Sequence, residues 1–162
     1  MIKTTLLFLL FMAAAIADSY NFTELRYSDA TGRYSQLDGQ ISFGENALNI
    51  KYPKAQRELD YKDDVLVYHE DAKEVDLDES QAERIMRYFD VLKLLHGGDE
   101  SELKETFEID DSSDKTLLTP LGSMKYYIER IELTKEESKL KSVKLFLKNS
   151  DNISVNIDDE IR

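Results

Sequence analysis

Two histidines are the only imidazoles in the chain: His69, followed by Glu70 and Asp71, and His96. A histidine beside two carboxylates has the parts of a general base or a metal ligand, because imidazole titrates near neutrality and a carboxylate can orient it. No second histidine stands at metal-ligand spacing from either, and no nucleophile elbow accompanies them, so a solvated strand end is the better reading of His69. A chain this rich in Ser and Asp always offers the members of a Ser/His/Asp set, so their presence carries no argument for catalysis. Asp76-Leu77-Asp78-Glu79 has the acidity of a calcium site. It lacks the spaced oxygen ligands and central glycine of a calcium loop, and Asp78 and Glu79 suit the positive end of a following helix. There is no Cys, which excludes disulfides, thiolate metal sites and a thiol nucleophile. The expectation is a non-enzyme with no cofactor and no metal.

The chain begins Met1-Ile2-Lys3-Thr4-Thr5, continues through the apolar run Leu6 to Met12, and reaches Ala15-Ile16-Ala17. One Lys, a short apolar core and a small-x-small triplet make a secretory signal peptide, with cleavage expected after Ala17. The run is shorter than the roughly 20 apolar residues of a spanning helix, and no Cys follows it to carry a lipid. Residues 18–162 are enough for one domain. Losing Lys3 from 21 basic residues set against 33 acidic ones takes the net charge from −12 to about −13. Such a chain repels nucleic acid and anionic headgroups, so a polyelectrolyte partner is not expected. An exported domain without disulfides relies on its hydrophobic core, which fits a bacterial periplasm. The triplets Asn21-Phe22-Thr23 and Asn152-Ile153-Ser154 have the form of glycosylation sequons, too common by chance to bear on the host.

Period-two alternation dominates the elements that must position any site. Ile41 and Phe43 share a face within Gly39 to Phe43, Gly44-Glu45-Asn46 turns, and Leu48, Ile50 and Tyr52 alternate up to Pro53. Strands are predicted at Arg57 to Tyr61, Val65 to Tyr68 and Ala72 to Leu77, with a hairpin turn at Lys62-Asp63-Asp64 between the first two. Then the period changes. Ile85, Met86, Phe89, Leu92 and Leu95 recur at helical spacing behind a Ser80-x-x-Glu83 capping box, and Gly97-Gly98 ends the pattern. This predicts an amphipathic helix over Gln81 to His96, with a further short turn over Glu100 to Glu105. Strands resume at Thr106 to Ile109, Thr116 to Thr119, Lys125 to Leu133, Leu140 to Lys148 and Ile153 to Ile157. The fold class expected is mainly β (α+β): a large antiparallel sheet, wet on one side, with one main helix against its apolar face.

The order of these pieces resembles the LolA-like periplasmic lipoprotein carriers. The resemblance runs over roughly Gly39 to Asp158: a Gly-x-apolar-x-apolar strand (Gly39 to Phe43), a strand with an aromatic before a Pro turn (Leu48 to Tyr52, Pro53), and a strand, acidic turn and strand (Leu59 to Tyr61, Lys62-Asp63-Asp64, Val65 to Tyr68). The helix follows, then a Leu118-Thr119-Pro120 strand end and two charged strands. Departures are Leu66 in place of the usual aromatic, Gly44-Glu45-Asn46 where the family commonly carries Arg-Pro, an N-terminal helix barely visible over Asn21 to Tyr27, and an end at Arg162 without the closing strand and Pro-Gly segment. The resemblance implies a curved sheet forming an incomplete barrel, its concave apolar face covered by the helix. It also implies a periplasmic carrier or chaperone for the acyl chains of lipoproteins or another lipid. The implied partners are an inner-membrane releasing complex and an outer-membrane acceptor, and the carrier is a monomer.

Under that reading Ile41, Phe43, Leu48, Ile50, Tyr52, Leu59, Leu66 and Tyr68 on the strands would line an apolar cavity together with Ile85, Met86, Phe89 and Leu92 on the helix. Each methylene taken from water contributes about 0.8 kcal/mol, so one long chain supplies on the order of 10 kcal/mol gross before ordering costs. The same residues would equally serve to fill a solid core. The alternative is therefore a secreted acidic binding or adhesion module with a filled interior, and the presence or absence of an apolar void separates the two.

Overall fold

The structure is a computed structural model that describes residues 18–137 and 139–161; the expected signal peptide lies outside these residues. Eleven strands form one antiparallel sheet. They are β1 (Asp18–Ser28), β2 (Arg33–Gly44), β3 (Ala47–Tyr52), β4 (Arg57–Lys62), β5 (Val65–Glu70), β6 (Lys73–Glu74), β7 (Phe107–Asp110), β8 (Thr116–Pro120), β9 (Ile128–Glu136), β10 (Lys139–Leu147) and β11 (Asn152–Glu160). Their order across the sheet is β6-β5-β4-β3-β2-β1-β11-β10-β9-β8-β7. The sheet does not close: β6 and β7 are its two edges. Between those edge strands the chain forms the helices α1 (Glu79–Gly97) and α2 (Glu100–Thr106).

Alternation explains most of this register. Leu48, Ile50 and Tyr52 are buried while Lys51 between them is exposed. Val143 and Leu145 on β10, and Val155 and Ile157 on β11, repeat the pattern. Gly39 lies directly opposite Phe22 in the β1–β2 pairing. A β-carbon there would come within 2.6 Å of the Phe22 ring and 2.7 Å of the Lys51 carbonyl oxygen, so glycine is what lets the ring lie over the strand. Tight hairpins follow where the backbone turns left-handed, at Asp63 and Asp64 (φ 49° and 64°) and at Asp71 and Ala72 (φ 51° and 61°). That conformation matches the twist of the paired strands.

Several expectations are corrected. Asn21 to Tyr27 is not a helical remnant: it belongs to β1, an 11-residue strand in the middle of the sheet, paired with β2 on one side and β11 on the other. The Ala72 to Leu77 strand shrinks to the two residues of β6, because the sheet ends there and no further strand pairs the rest. Asp78, not Ser80, caps α1, its carboxylate accepting from the Gln81 backbone N–H at 2.9 Å. The box of reciprocal bonds occurs instead at α2, between Asp99 and Glu102. Gly98 ends α1 in an extended conformation rather than a left-handed one; a β-carbon would meet the Leu94 carbonyl oxygen at 2.4 Å, so close approach is its requirement. Strand β9 starts later than expected because Gly122–Tyr126 winds into a 3-10 turn.

The apolar interior falls into two clusters. One gathers Phe22, Ile41, Phe43, Leu48, Ile50, Leu59 and Tyr61 with Val155 and Ile157, and includes Phe89 and Leu92 of α1. The other gathers Phe107, Leu118, Ile131, Leu133, Val143 and Leu145, and includes Val91 and Leu95 of α1. The helix therefore contributes to both halves of the core. Its buried residues, Phe89, Val91, Leu92 and Leu95, all lie in its C-terminal half.

Candidate ligand cleft

A cleft borders the first and middle turns of α1. This cleft of about 980 Å³, open to solvent and with mainly apolar walls, is lined by Ile85, Tyr88 and Phe89 of α1, by Leu59 and Tyr68 of β4 and β5, and by Ile153 of β11. The helix face is made by Gln81, Arg84, Ile85 and Tyr88, whose three- and four-residue spacing puts them on one side. The 3-10 turn supplies a rim through Met124, Tyr126 and Tyr127. Tyr126 is 70 % exposed, and the Arg87 guanidinium stacks 3.9 Å from the Tyr127 ring centroid.

Beside the helix face a polar cluster centres on a carboxylate buried at the edge of the apolar core. Glu24 on β1 is 1 % exposed. The Arg26 Nε–H donates to its Oε1, and the Tyr52 and Tyr88 hydroxyls donate to its Oε2 at 3.1 and 3.2 Å. A buried carboxylate survives only when its lone pairs are taken up, and here one guanidinium and two phenols do so. Burial works against the Arg26 charge, but the adjacent Glu24 carboxylate more than offsets it and holds the guanidinium protonated. Burial and the same carboxylate push both the Tyr52 and Tyr88 phenols well above the usual tyrosine range. Because Tyr88 is on α1 and Glu24 on β1, the cluster ties the middle of the helix to the central strand.

Two further ties hold α1. The Tyr61 hydroxyl donates to Asp90 at 2.9 Å, while Lys93 lies 4.9 Å from the Tyr61 ring centroid. Near the C-terminus His96 stacks on Phe43 at 3.8 Å and 11°, with its Nε2 3.3 Å from the Asp18 carboxylate. Thus one of the two histidines is an anchor of the helix. The other, His69, sits on β5 with its Nδ1 4.0 Å from Asp60. Among the described residues no group of three or more His, Asp or Glu side chains is arranged to hold a metal ion.

The twelve residues anticipated for an apolar cavity divide. Tyr52, Leu59, Tyr68, Ile85 and Phe89 line the cleft. Ile41, Phe43, Leu48, Ile50 and Leu92 are buried against one another, and Leu66 and Met86 pack partly buried on that cluster. The division follows the packing: Leu92 is buried in the same cluster as Ile41, Phe43, Leu48 and Ile50, whereas Ile85 and Phe89 also border the cleft. Sequence reading missed Glu24, Arg26, Leu37, Arg84 and Ile153. The period-two series Tyr20, Phe22, Glu24, Arg26 was the available signal for the first two, obscured by Leu25 and Tyr27 on the opposite face.

No family model matches this sequence, and no curated protein matches it. Among the described residues no helix is long and apolar enough to cross a membrane.

The elevated phenols give a direct test. The chain has nine tyrosines and no tryptophan, so tyrosinate absorbance near 295 nm reads them alone. Tyr52 and Tyr88 should ionise late, as should Tyr61, raised by burial and by Asp90, and Tyr68, raised mainly by burial. Unfolded tyrosines titrate near pH 10. Above that pH the unfolded chain gives up protons that the folded chain keeps, so stability present below pH 10 falls as pH rises further. A single titration of all nine tyrosines near pH 10 without unfolding would contradict the cluster.

Proposed function

We propose that this protein is an exported carrier that holds a hydrocarbon chain in the cleft bordering the first and middle turns of α1, and that it makes and breaks no bond. The observation that carries this reading is the cleft itself. Its volume of about 980 Å³ lies at the upper end of the roughly 300–1,000 Å³ of small-molecule sites, and aromatic and aliphatic side chains make most of its wall. The alternative, a secreted acidic adhesion module, needs no apolar ligand space, so a cleft walled in this way favours the carrier. On this reading the sheet is an incomplete barrel with α1 across its concave apolar face, and the first turns of α1 form the movable side of the site. The similarity in element order to the LolA-like carriers supports a periplasmic location, a lipoprotein acyl chain or another lipid as cargo, and membrane-bound donor and acceptor partners.

The test is binding of N-phenyl-1-naphthylamine, an uncharged dye that brightens in apolar surroundings, combined with mass spectrometry of lipids that co-purify with the protein. The dye should bind and be displaced by a long-chain lipid. Ile153→Trp projects an indole into the cleft. Barring about four methylenes from burial removes roughly 3 kcal/mol, a loss of about 100-fold in affinity. A folded protein that binds neither dye nor lipid would sink the carrier reading.

A further inference from the structure

The charge of the cleft runs against the charge of the chain. In a protein of net charge −12, four of the seven arginines, Arg26, Arg57, Arg84 and Arg87, line this one apolar space together with Lys148. Only two carboxylates, Glu70 and Asp90, share the wall with them, and Asp90 is occupied by the Tyr61 hydroxyl.

The cations are not equivalent. Arg26 is fixed on buried Glu24, and Arg87 is paired with Glu83 and stacked on Tyr127. Arg57 meets Glu70 at 3.1 Å, but both side chains are more than 40 % exposed, and such a pair holds weakly enough to exchange partners. Arg84 donates its Nε–H to the Ser80 backbone carbonyl, and neither it nor Lys148 has a carboxylate partner among the described residues. A neutral hydrocarbon has no use for these groups, and Arg57, Arg84 and Lys148 are exposed, so a headgroup at the mouth of the cleft can reach them. A guanidinium matches the planar fork of a carboxylate or phosphate and forms the stronger, charge-assisted bonds.

We propose that the cleft selects an amphiphile with an anionic headgroup, a carboxylate or phosphate, whose chain lies along the Ile85 and Phe89 face and whose headgroup is met by Arg84 and Arg57. This rests on the hydrocarbon-binding reading above and names the class of ligand within it. The negative surface elsewhere on the protein repels such a ligand, so the discrimination is local to the cleft.

Three ligands with the same oleoyl chain test the proposal by displacement of N-phenyl-1-naphthylamine at pH 8: oleate, oleoyl lysophosphatidate and neutral monoolein. The anionic ligands should bind at least about tenfold more tightly than monoolein, the worth of one charge-assisted hydrogen bond. Their relative affinities tell carboxylate from phosphate. Arg84→Gln should erase most of the preference, and Arg57→Gln/Arg84→Gln nearly all of it. Arg130→Gln, at a guanidinium stacked on Phe146 away from the cleft, should keep the preference. Circular dichroism confirms that each variant is folded. Equal binding of all three ligands by the parent protein overturns the headgroup proposal and leaves hydrocarbon binding intact. A preference retained in the double variant, or lost equally in Arg130→Gln, also overturns it. Failure of the dye and every oleoyl ligand to bind overturns hydrocarbon binding and this proposal with it.

Discussion

Replacing Phe89 with alanine should lower the free energy of unfolding by about 3–5 kcal/mol, the range for removing a buried aromatic ring from a core. Phe89 is 2 % exposed and lies with its ring centroid 5.9 Å from those of both Tyr61 and Tyr88. It joins α1 to the cluster of β1 to β4, and its removal strips the Tyr61 and Tyr88 rings of their shared neighbour. Unfolding free energies of domains are only about 5–15 kcal/mol, so this one ring accounts for a large part of the whole. Urea denaturation followed by circular dichroism should show a lower midpoint with an unchanged slope. Met86→Ala, at a flexible and partly buried neighbour, should cost only about 1 kcal/mol. If the two variants were equally mild, α1 would not be held to the sheet through this ring.

Glu24→Ala should destabilise the fold by about 3 kcal/mol, because it strips the acceptor from one guanidinium and two phenols at once. The lower part of the range for broken buried ion pairs applies, since the Arg26 side chain is 49 % exposed and regains water. Glu24→Gln keeps the shape and an acceptor for the tyrosines, so it should lose roughly 1–2 kcal/mol. Both variants should also bring the late-ionising Tyr52 and Tyr88 back toward the usual range, because the Glu24 charge is part of what raises them. Equal stability of the parent and both variants would mean that the cluster is incidental to the fold.

The strands were legible in the sequence wherever one face is apolar and the other wet, as at Leu48, Ile50 and Tyr52 or at Val143 and Leu145. Helix α1 was legible for the corresponding reason at its own period. What alternation could not convey was which strand residues pack with the helix and which border the cleft. Ile41 on β2, Ile50 on β3 and Tyr68 on β5 look alike in a one-dimensional pattern, yet the two isoleucines are packed solid and Tyr68 faces the cleft. That difference depends on where residues 79 to 88 run in space. Strand β1 was missed because its inward face carries Glu24 and Arg26 beside Phe22, and a charged residue counts against a strand interior unless its partners, here Tyr52 and Tyr88 from distant segments, are known.

The hairpins at the β6 side of the sheet are shaped by Asp63, Asp64, Asp71 and Ala72 in a backbone region that glycine occupies freely. A side chain there costs about 1 kcal/mol per residue, and alanine has no polar group with which to recover any of it. Asp64 is compensated differently, since its carboxylate accepts from the Tyr61 hydroxyl at 3.3 Å. Glycine in place of Ala72 would therefore relieve the local backbone cost at the edge of the sheet.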